Sequence, residues 1–203
     1  MTDRSKGADH WDAKYRAAQQ EGAAVWSVEP NRFVAAELAD LPPGRGADLG
    51  AGEGRHALWL ASRGWRMTAV DFSAVAIEAG SRRAVERGLD VSWVVADATA
   101  WAPQTPVDLV LLAYLHLPAA DIAAITARAA AWLVEGGTLL VLGHDLENLA
   151  SGAGGPRDPD HLYHAEMEFP GLEVVRNVLL EREGPGGATA LDRLVRAVRV
   201  TSR

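Results

Sequence analysis

The stretch DLGAGEGRH, residues 48–56, places three glycines in five positions between a short apolar run and a helix-like segment. Bare backbone at such a turn can lie against a ligand, and the helix that follows presents unpaired N–H groups and a partial positive charge. Acids rather than lysines surround the turn, Asp48 before it and Glu53 within it. Asp71 follows 21 residues beyond Gly50, the spacing at which the acid of a nucleotide-type fold accepts the hydroxyls of a ribose. A dinucleotide fingerprint would put glycine or alanine at position 55, whereas this chain has Arg55 and spaces its glycines as G-x-G-x-G. The match to NAD is therefore poor. Further along, YLHLP carries Tyr114 and His116, and GHDLEN carries His144, Asp145 and Asn148. Each is a candidate base or hydrogen-bonding group for a bound substrate.

Positioning these groups requires a scaffold, and the apolar pattern describes one. Near-continuous apolar runs at 46–50, 66–70, 91–96, 107–113 and 138–143 read as strands of a parallel sheet covered on both faces. Helix-like segments alternate with them at 54–64, 73–88 (Ser73 as N-cap, Gly88 as stop) and 118–137, where Ile122, Ile125, Ala129 and Trp132 share a face. Two more strands, 172–180 and 190–200, flank a Gly/Pro-rich hairpin signal. The expectation is a doubly wound, seven-stranded, mostly parallel α/β sheet with an antiparallel C-terminal edge hairpin. Ligands of such sheets sit at the carboxyl ends of the strands, where Asp71, Asp97, Ala113 and Tyr114 fall.

Composition narrows the function. With 203 residues, 48% apolar and 23% charged, the chain reads as one domain with a real core. A net charge of −7 disfavours a nucleic-acid partner, and the absence of cysteine removes thiolate chemistry and disulfides. No apolar run spans a membrane and the N-terminus lacks an apolar signal core, so a cytoplasmic location is the default expectation. Lysine occurs only at Lys6 and Lys14 against many arginines and alanines, which points to a GC-rich bacterial genome.

DLGAGEGRHALWLASRGWRMTAVDFS, then VVADAT, VDLVLLAYLHLP and EGGTLLVLGHD, resemble the class I S-adenosylmethionine-dependent methyltransferases, within them the small-molecule branch of the tellurite-resistance and thiopurine enzymes. The resemblance spans roughly residues 10–165. It implies that Gly50, Ala51 and Gly52 pass the methionine moiety with their backbone and that Asp71 holds the ribose. Phe72 then lies against the adenine, Asp97 reaches its amino group and the Ala98 N–H meets a ring nitrogen. Asp48, Ala113 and Tyr114 complete the expected cofactor contacts. A sulfonium and an ammonium suit carboxylates, which accounts for acids around the turn. The resemblance also makes residues 1–41 a helical lid over the methionine end, with Trp11, Tyr15 and Trp26 offering aromatic faces to a cation. Plain packing of a helix on the sheet is the other reading of those rings.

Methyl transfer needs alignment above all, and a base only where the acceptor arrives protonated. His116 and His144 are the candidate catalytic residues, and the irregular 144–165 segment, with His161, Tyr163 and His164, is the expected wall of the acceptor pocket. No metal is expected: Asp145 and Asn148 could offer oxygens, but no acid stands beside Tyr114 and His116. Nucleobase methylation is disfavoured because AYLHLP replaces the Asn/Asp-Pro-Pro-aromatic stretch of such enzymes. The acceptor atom (sulfur, oxygen, nitrogen or a chalcogen) and the oligomeric state stay open. The competing readings are a non-catalytic S-adenosylmethionine-binding protein and an NAD-dependent oxidoreductase.

Overall fold

A computed structural model describes residues 7–151, 154–184 and 187–200. The chain divides into two compact units, residues 1–103 and 104–203. In the first, α1 (Ala8–Gln20) and α2 (Arg32–Leu38) precede β1 (Arg45–Leu49), α3 (Arg55–Ser62), β2 (Arg66–Asp71), α4 (Ala74–Arg87) and β3 (Val91–Val95). The strands pair in parallel, β1 with β2 and β2 with β3. Helix α4 begins and ends as its sequence dictates: the Ser73 hydroxyl accepts from the Ala76 N–H, and Gly88 closes it at φ +64. Helix α2 is capped by Asn31, whose side chain accepts from the Phe33 N–H at 2.8 Å.

The third glycine of the turn has a packing role. Gly54 starts α3 in the left-handed region at φ +74, and a Cβ there would collide with the Trp93 ring. Gly80, in the middle of α4, faces the same ring, and a Cβ on it would also stand 2.8 Å from the Glu53 carbonyl oxygen. Gly80→Ala gains helix propensity yet is expected to destabilise the protein by about 2 kcal/mol through overpacking. Urea denaturation checks this, and a gain in stability would mean that Trp93 moves aside without cost.

In the second unit β4 (Val107–Ala113), α5 (Ala119–Trp132) and β5 (Leu133–His144) lead, through a short helix and a 3-10 turn, to β6 (Leu172–Glu183) and β7 (Thr189–Arg199). Strands β4 and β5 are parallel, whereas β7 runs antiparallel to both β5 and β6. Ile122, Ile125 and Ala129 are buried as their spacing predicts, while Trp132 is half-buried with the Arg128 guanidinium 5.0 Å from its ring centroid. The expected helix over 118–137 ends five residues early. Leu133 turns extended and pairs with Val107, and Gly136 takes φ +75, a conformation that helix continuation forbids.

The seven strands form a mixed sheet in the order β3-β2-β1-β4-β5-β7-β6. This is the expected mostly parallel α/β sheet with an antiparallel C-terminal hairpin. Strand β6 lies at the edge, with Val174, Val175 and Leu179 exposed. Residues 152–153 of the expected substrate loop and 185–186 of the hairpin turn lie outside the described residues. No helix among the described residues is long and apolar enough to cross a membrane.

Candidate active site

The first unit assembles its glycine turn around Asp71. The carboxylate, 8% exposed at the end of β2, accepts the Gly52 N–H on Oδ2 and the Ser73 N–H on Oδ1, both at 2.8 Å. Each oxygen keeps a further lone pair for an additional donor. Burial raises the Asp71 carboxyl above its usual range, against those two N–H bonds, which lower it. Gly50 and Gly52 take φ +69 and +57, and the Gly50 and Ala51 N–H groups donate to the Val70 carbonyl. Between Gly50 and Gly52 the turn is thus a strip of backbone bare of side chains apart from the Ala51 methyl.

Helix α1 lies on that strip. A Cβ on Gly52 would stand 2.6 Å from the Tyr15 hydroxyl, and Tyr15 is only 3% exposed. Burial, then the Asp71 charge, holds the Tyr15 phenol neutral by raising its pKa. Asp12, one turn before Tyr15, accepts the Ser73 hydroxyl at 2.5 Å and so ties α1 to the start of α4. Glu53 accepts the Val25 N–H at 3.1 Å and pairs with Arg83 at 2.9 Å; His56 Nε2 accepts the Asn31 N–H at 3.3 Å. Those two contacts pin the segment between α1 and α2 to the turn. These contacts of Asp12, Glu53 and His56 were not legible in the sequence, because nothing in the spacing of those residues marks them off from solvated polar residues.

The aromatic cluster forms, with Trp11 6.1 Å from Tyr15 and 6.3 Å from Trp26 between ring centroids. A cation already lies over two of these faces: Lys14 Nζ is 4.7 Å from the Trp11 centroid and 4.4 Å from that of Trp26. Phe72 is half-buried and Ala98 buried, whereas Asp97 is exposed and spends Oδ1 on the Thr99 N–H and hydroxyl. Asp48 differs from these. It is 1% exposed, its Oδ2 has no hydrogen-bond partner among the described residues, and burial pushes its carboxyl up to about 7.

The second unit gathers the remaining candidates about Asp192. Beyond Ala113, Tyr114 takes φ +59, the one non-glycine residue with positive φ among those described, and its hydroxyl donates to Asp192 Oδ2 at 2.6 Å. Such strain persists only where surrounding contacts over-determine it. Arg182 Nε donates to the same oxygen at 2.6 Å, and His144 Nδ1 lies 3.1 Å from Oδ1. Asp192 is fully buried; burial alone would raise its carboxyl, but donors from His144 and Tyr114 and the Arg182 charge hold it below the usual range. The His116 ring stacks on His144 with centroids 5.1 Å apart, and its Nδ1 is 2.9 Å from the His161 carbonyl oxygen. A carbonyl only accepts, so Nδ1 carries the proton and Nε2 the lone pair. That Nε2 is buried without a hydrogen-bond partner among the described residues. Burial, then the neighbouring His144, lowers the ring's pKa to about 4.

The other candidates are held by contacts of their own. Asp145, 1% exposed, pairs with Arg193 at 2.7 Å and accepts the Glu147 N–H. Asn148 accepts the Leu191 N–H and donates to the Gly154 carbonyl. The buried Tyr163 gives its hydroxyl to the Leu115 carbonyl, His161 lies 3.4 Å from Asp158, and His164 pairs with Glu166 at the surface. Asp192 and Arg182 were not foreseen; the available signal was an acid set between Leu191 and the apolar pair Leu194 and Val195 of β7.

Fold and turn together define an α/β domain with acids around its glycine turn. Residues 47–137 match the family model described as a methyltransferase domain. No curated protein matches the chain. Among solved structures, TehB from Haemophilus influenzae superposes with a TM-score of 0.72 at 17% identity, over 95% of this chain and 66% of its own. The chain therefore spans just under two thirds of TehB's length. The N-methyltransferase NodS from Bradyrhizobium japonicum, solved with S-adenosyl-L-homocysteine, gives 0.65 at 18% identity over 92% and 98% of the two chains. Magnesium protoporphyrin IX methyltransferase from Synechocystis, also with that product bound, gives 0.64 at 18% identity over 92% and 86%. Residues 47–137 thus match a methyltransferase domain, and the chain shares its fold with enzymes solved with S-adenosyl-L-homocysteine. The residues present fit S-adenosylmethionine. Gly52 presents bare backbone where a Cβ would meet the Tyr15 hydroxyl, and the Asp71 carboxylate and the Asp48 oxygen that has no hydrogen-bond partner among the described residues are the complement of a cation.

Proposed function

We propose that the protein methylates a small-molecule acceptor, with Gly50, Ala51, Gly52 and Asp71 holding the cofactor and the second unit's Tyr114, His116 and His144 serving the acceptor. Asp71 carries this reading: a buried carboxylate that organises the glycine turn and keeps lone pairs for a ribose. Phe72, Asp97 and Ala98 serve the adenine, and Asp48 balances the cofactor's positive charge. When bound, S-adenosylmethionine supplies the methyl group, the C–S bonding pair staying on sulfur. Helix α1, with Trp11 and Tyr15, and Trp26 beyond it form the lid that excludes water from the methionine end. Their ties through Asp12, Glu53 and His56 support that role. A net charge of −7 supports a small molecule over nucleic acid.

The test is calorimetric titration with S-adenosylmethionine, S-adenosylhomocysteine and NAD, followed by transfer of labelled methyl to an acceptor panel. Binding of the first two and not of NAD is expected; binding of NAD alone would replace this reading with an oxidoreductase. Cofactor binding without transfer to any acceptor would leave a sensor or sequestering protein. Asp71→Ala is expected to weaken cofactor binding by about 1.5–3 kcal/mol through lost charge-assisted hydrogen bonds. An unchanged dissociation constant would mean that the ribose lies elsewhere.

A further inference from the structure

We propose that Asp192 and Arg182 are positioning residues: through the Tyr114 hydroxyl they hold the chain leaving β4 in a left-handed turn, and that turn sets residues 114–116 against the molecule to be methylated. The proposal deepens the methyl-transfer reading above and rests on it.

The backbone supplies the first observation. Strand β4 ends at Ala113, and the Tyr114 N–H still donates to the Leu142 carbonyl of β5 at 2.6 Å. At Tyr114 itself φ is +59, in the left-handed region, which among the described residues is otherwise occupied by glycines. Crowding of Cβ against the backbone makes that conformation costly for an L-residue, and tyrosine has no short polar side chain to offset the cost locally. Contacts from elsewhere in the fold must hold it.

Those contacts come from the C-terminal hairpin. Strand β5 lies between β4 and β7, so Tyr114 and Asp192 belong to chain segments about 10 Å apart. The Tyr114 side chain bridges them past His144, its ring centroid 5.3 Å from that of the imidazole, and its hydroxyl donates to Asp192 Oδ2 at 2.6 Å. Burial, then the Asp192 charge, keeps the phenol protonated and therefore a donor. Arg182 Nε donates to the same oxygen at 2.6 Å, and the guanidinium carbon lies 5.7 Å from the Tyr114 ring centroid. Asp192 is fully buried and held by a charge-assisted bond, so the phenol comes to the carboxylate rather than the reverse. The clamp uses Oδ2 alone.

The turn governs the residues that follow. The β4–β5 ladder stops at Ala113; beyond it the Leu115 carbonyl accepts the Tyr163 hydroxyl at 2.5 Å, and the His116 ring stacks on His144 with centroids 5.1 Å apart. Tyr114 thus spends its side chain on Asp192 and serves the acceptor through its backbone, by aiming the segment after it.

The test compares the full chain with Tyr114→Phe, Tyr114→Gly, Tyr114→Ala, Asp192→Asn and the double variant Tyr114→Phe with Asp192→Asn. Labelled methyl transfer is measured to phenol, aniline and thiophenol, and S-adenosylmethionine binding by calorimetry. Tyr114→Phe is expected to lower kcat at least about tenfold, with the dissociation constant for S-adenosylmethionine unchanged. Neither Tyr114→Gly nor Tyr114→Ala can reach Asp192, yet Tyr114→Gly is expected to keep a kcat about tenfold above Tyr114→Ala, the weight of one L-residue in the left-handed region. The double variant is expected to fall no lower than Tyr114→Phe, because Asp192 acts through the hydroxyl. Crystal structures of the cofactor-free protein are expected to show positive φ at residue 114 in the wild type and negative φ in Tyr114→Phe. Equal kcat in Tyr114→Gly and Tyr114→Ala, a wild-type kcat in Tyr114→Phe, additive losses in the double variant, or a left-handed residue 114 in Tyr114→Phe would each overturn the proposal. The Tyr114 comparisons do not require Asp192→Asn to fold. Transfer to none of the three probes by a wild-type protein that binds S-adenosylmethionine would overturn the methyl-transfer reading instead, while the crystallographic comparison, which needs no acceptor, still decides the clamp.

Discussion

Asp48→Asn is expected to stabilise the cofactor-free protein at pH 8 by about 2–3 kcal/mol while weakening S-adenosylmethionine binding by about tenfold. Asp48 is buried on β1, one oxygen lacks a hydrogen-bond partner among the described residues, and its carboxyl is pushed up to about 7 by desolvation, against the opposing pull of Arg55. An acid whose folded pKa exceeds its unfolded one binds more protons when folded, so stability falls as pH rises from about 4 toward 7. Above that window the whole penalty is present, about 4 kcal/mol at 1.36 kcal/mol per pKa unit. Asparagine removes the charge but leaves an amide short of a partner, hence the smaller net gain. Urea midpoints at pH 8 and pH 4.5 check it: the gain is expected at the first and nearly absent at the second. Equal effects at both values would show that the carboxylate is solvated. The expected cofactor effect has the opposite sign because, on the proposed reading, that carboxylate balances the cofactor's positive charge, so stability and binding trade against each other.

In the Asp48→Asn background, acidification from pH 7 to pH 4.5 is expected to remove about 2–3 kcal/mol of stability at each of His56 and His116. Burial lowers the His56 pKa to about 3 and that of His116 to about 4, both from an ordinary 6.5. Each base binds fewer protons folded than unfolded, so its contribution is present above about 6.5 and is lost as pH falls toward the folded values. Using the Asp48 variant removes a carboxyl that acts in the opposite direction over the same range. His56→Gln is expected to shallow the pH dependence by its share, with Gln offering an acceptor to the Asn31 N–H that His56 Nε2 accepts at present. A slope unchanged in that variant would mean that His56 charges without unfolding.

The differing legibility of these groups has a physical basis. Asp71 was identifiable because a turn, a strand and a ribose-binding acid have a fixed separation along the chain, and the structure puts it on Gly52 and Ser73. His116 and His144 stood out as ionisable residues at strand ends. Their surroundings were not legible, since the His161 carbonyl beside His116 and the Asp192 carboxylate beside His144 come from residues 45 and 48 positions away. The end of α5 was misjudged for a related reason: apolar periodicity continues through Leu133, but pairing with Val107 and two following glycines draws the chain into a strand.

Local chemistry written in the sequence determined the alternation of strands and helices, the caps of α4, the glycine turn with its acids and the ribose-binding candidate, because period, capping and turn conformation act over a few residues. The tertiary structure decided that Tyr15 lies on Gly52, that one Asp48 oxygen has no hydrogen-bond partner among the described residues, and that Asp192 lies beside His144. Those are matters of burial and of hydrogen-bond partners. They depend on which distant side chain excludes water from a group and which one offers it a partner, and neither has a fixed spacing along the chain.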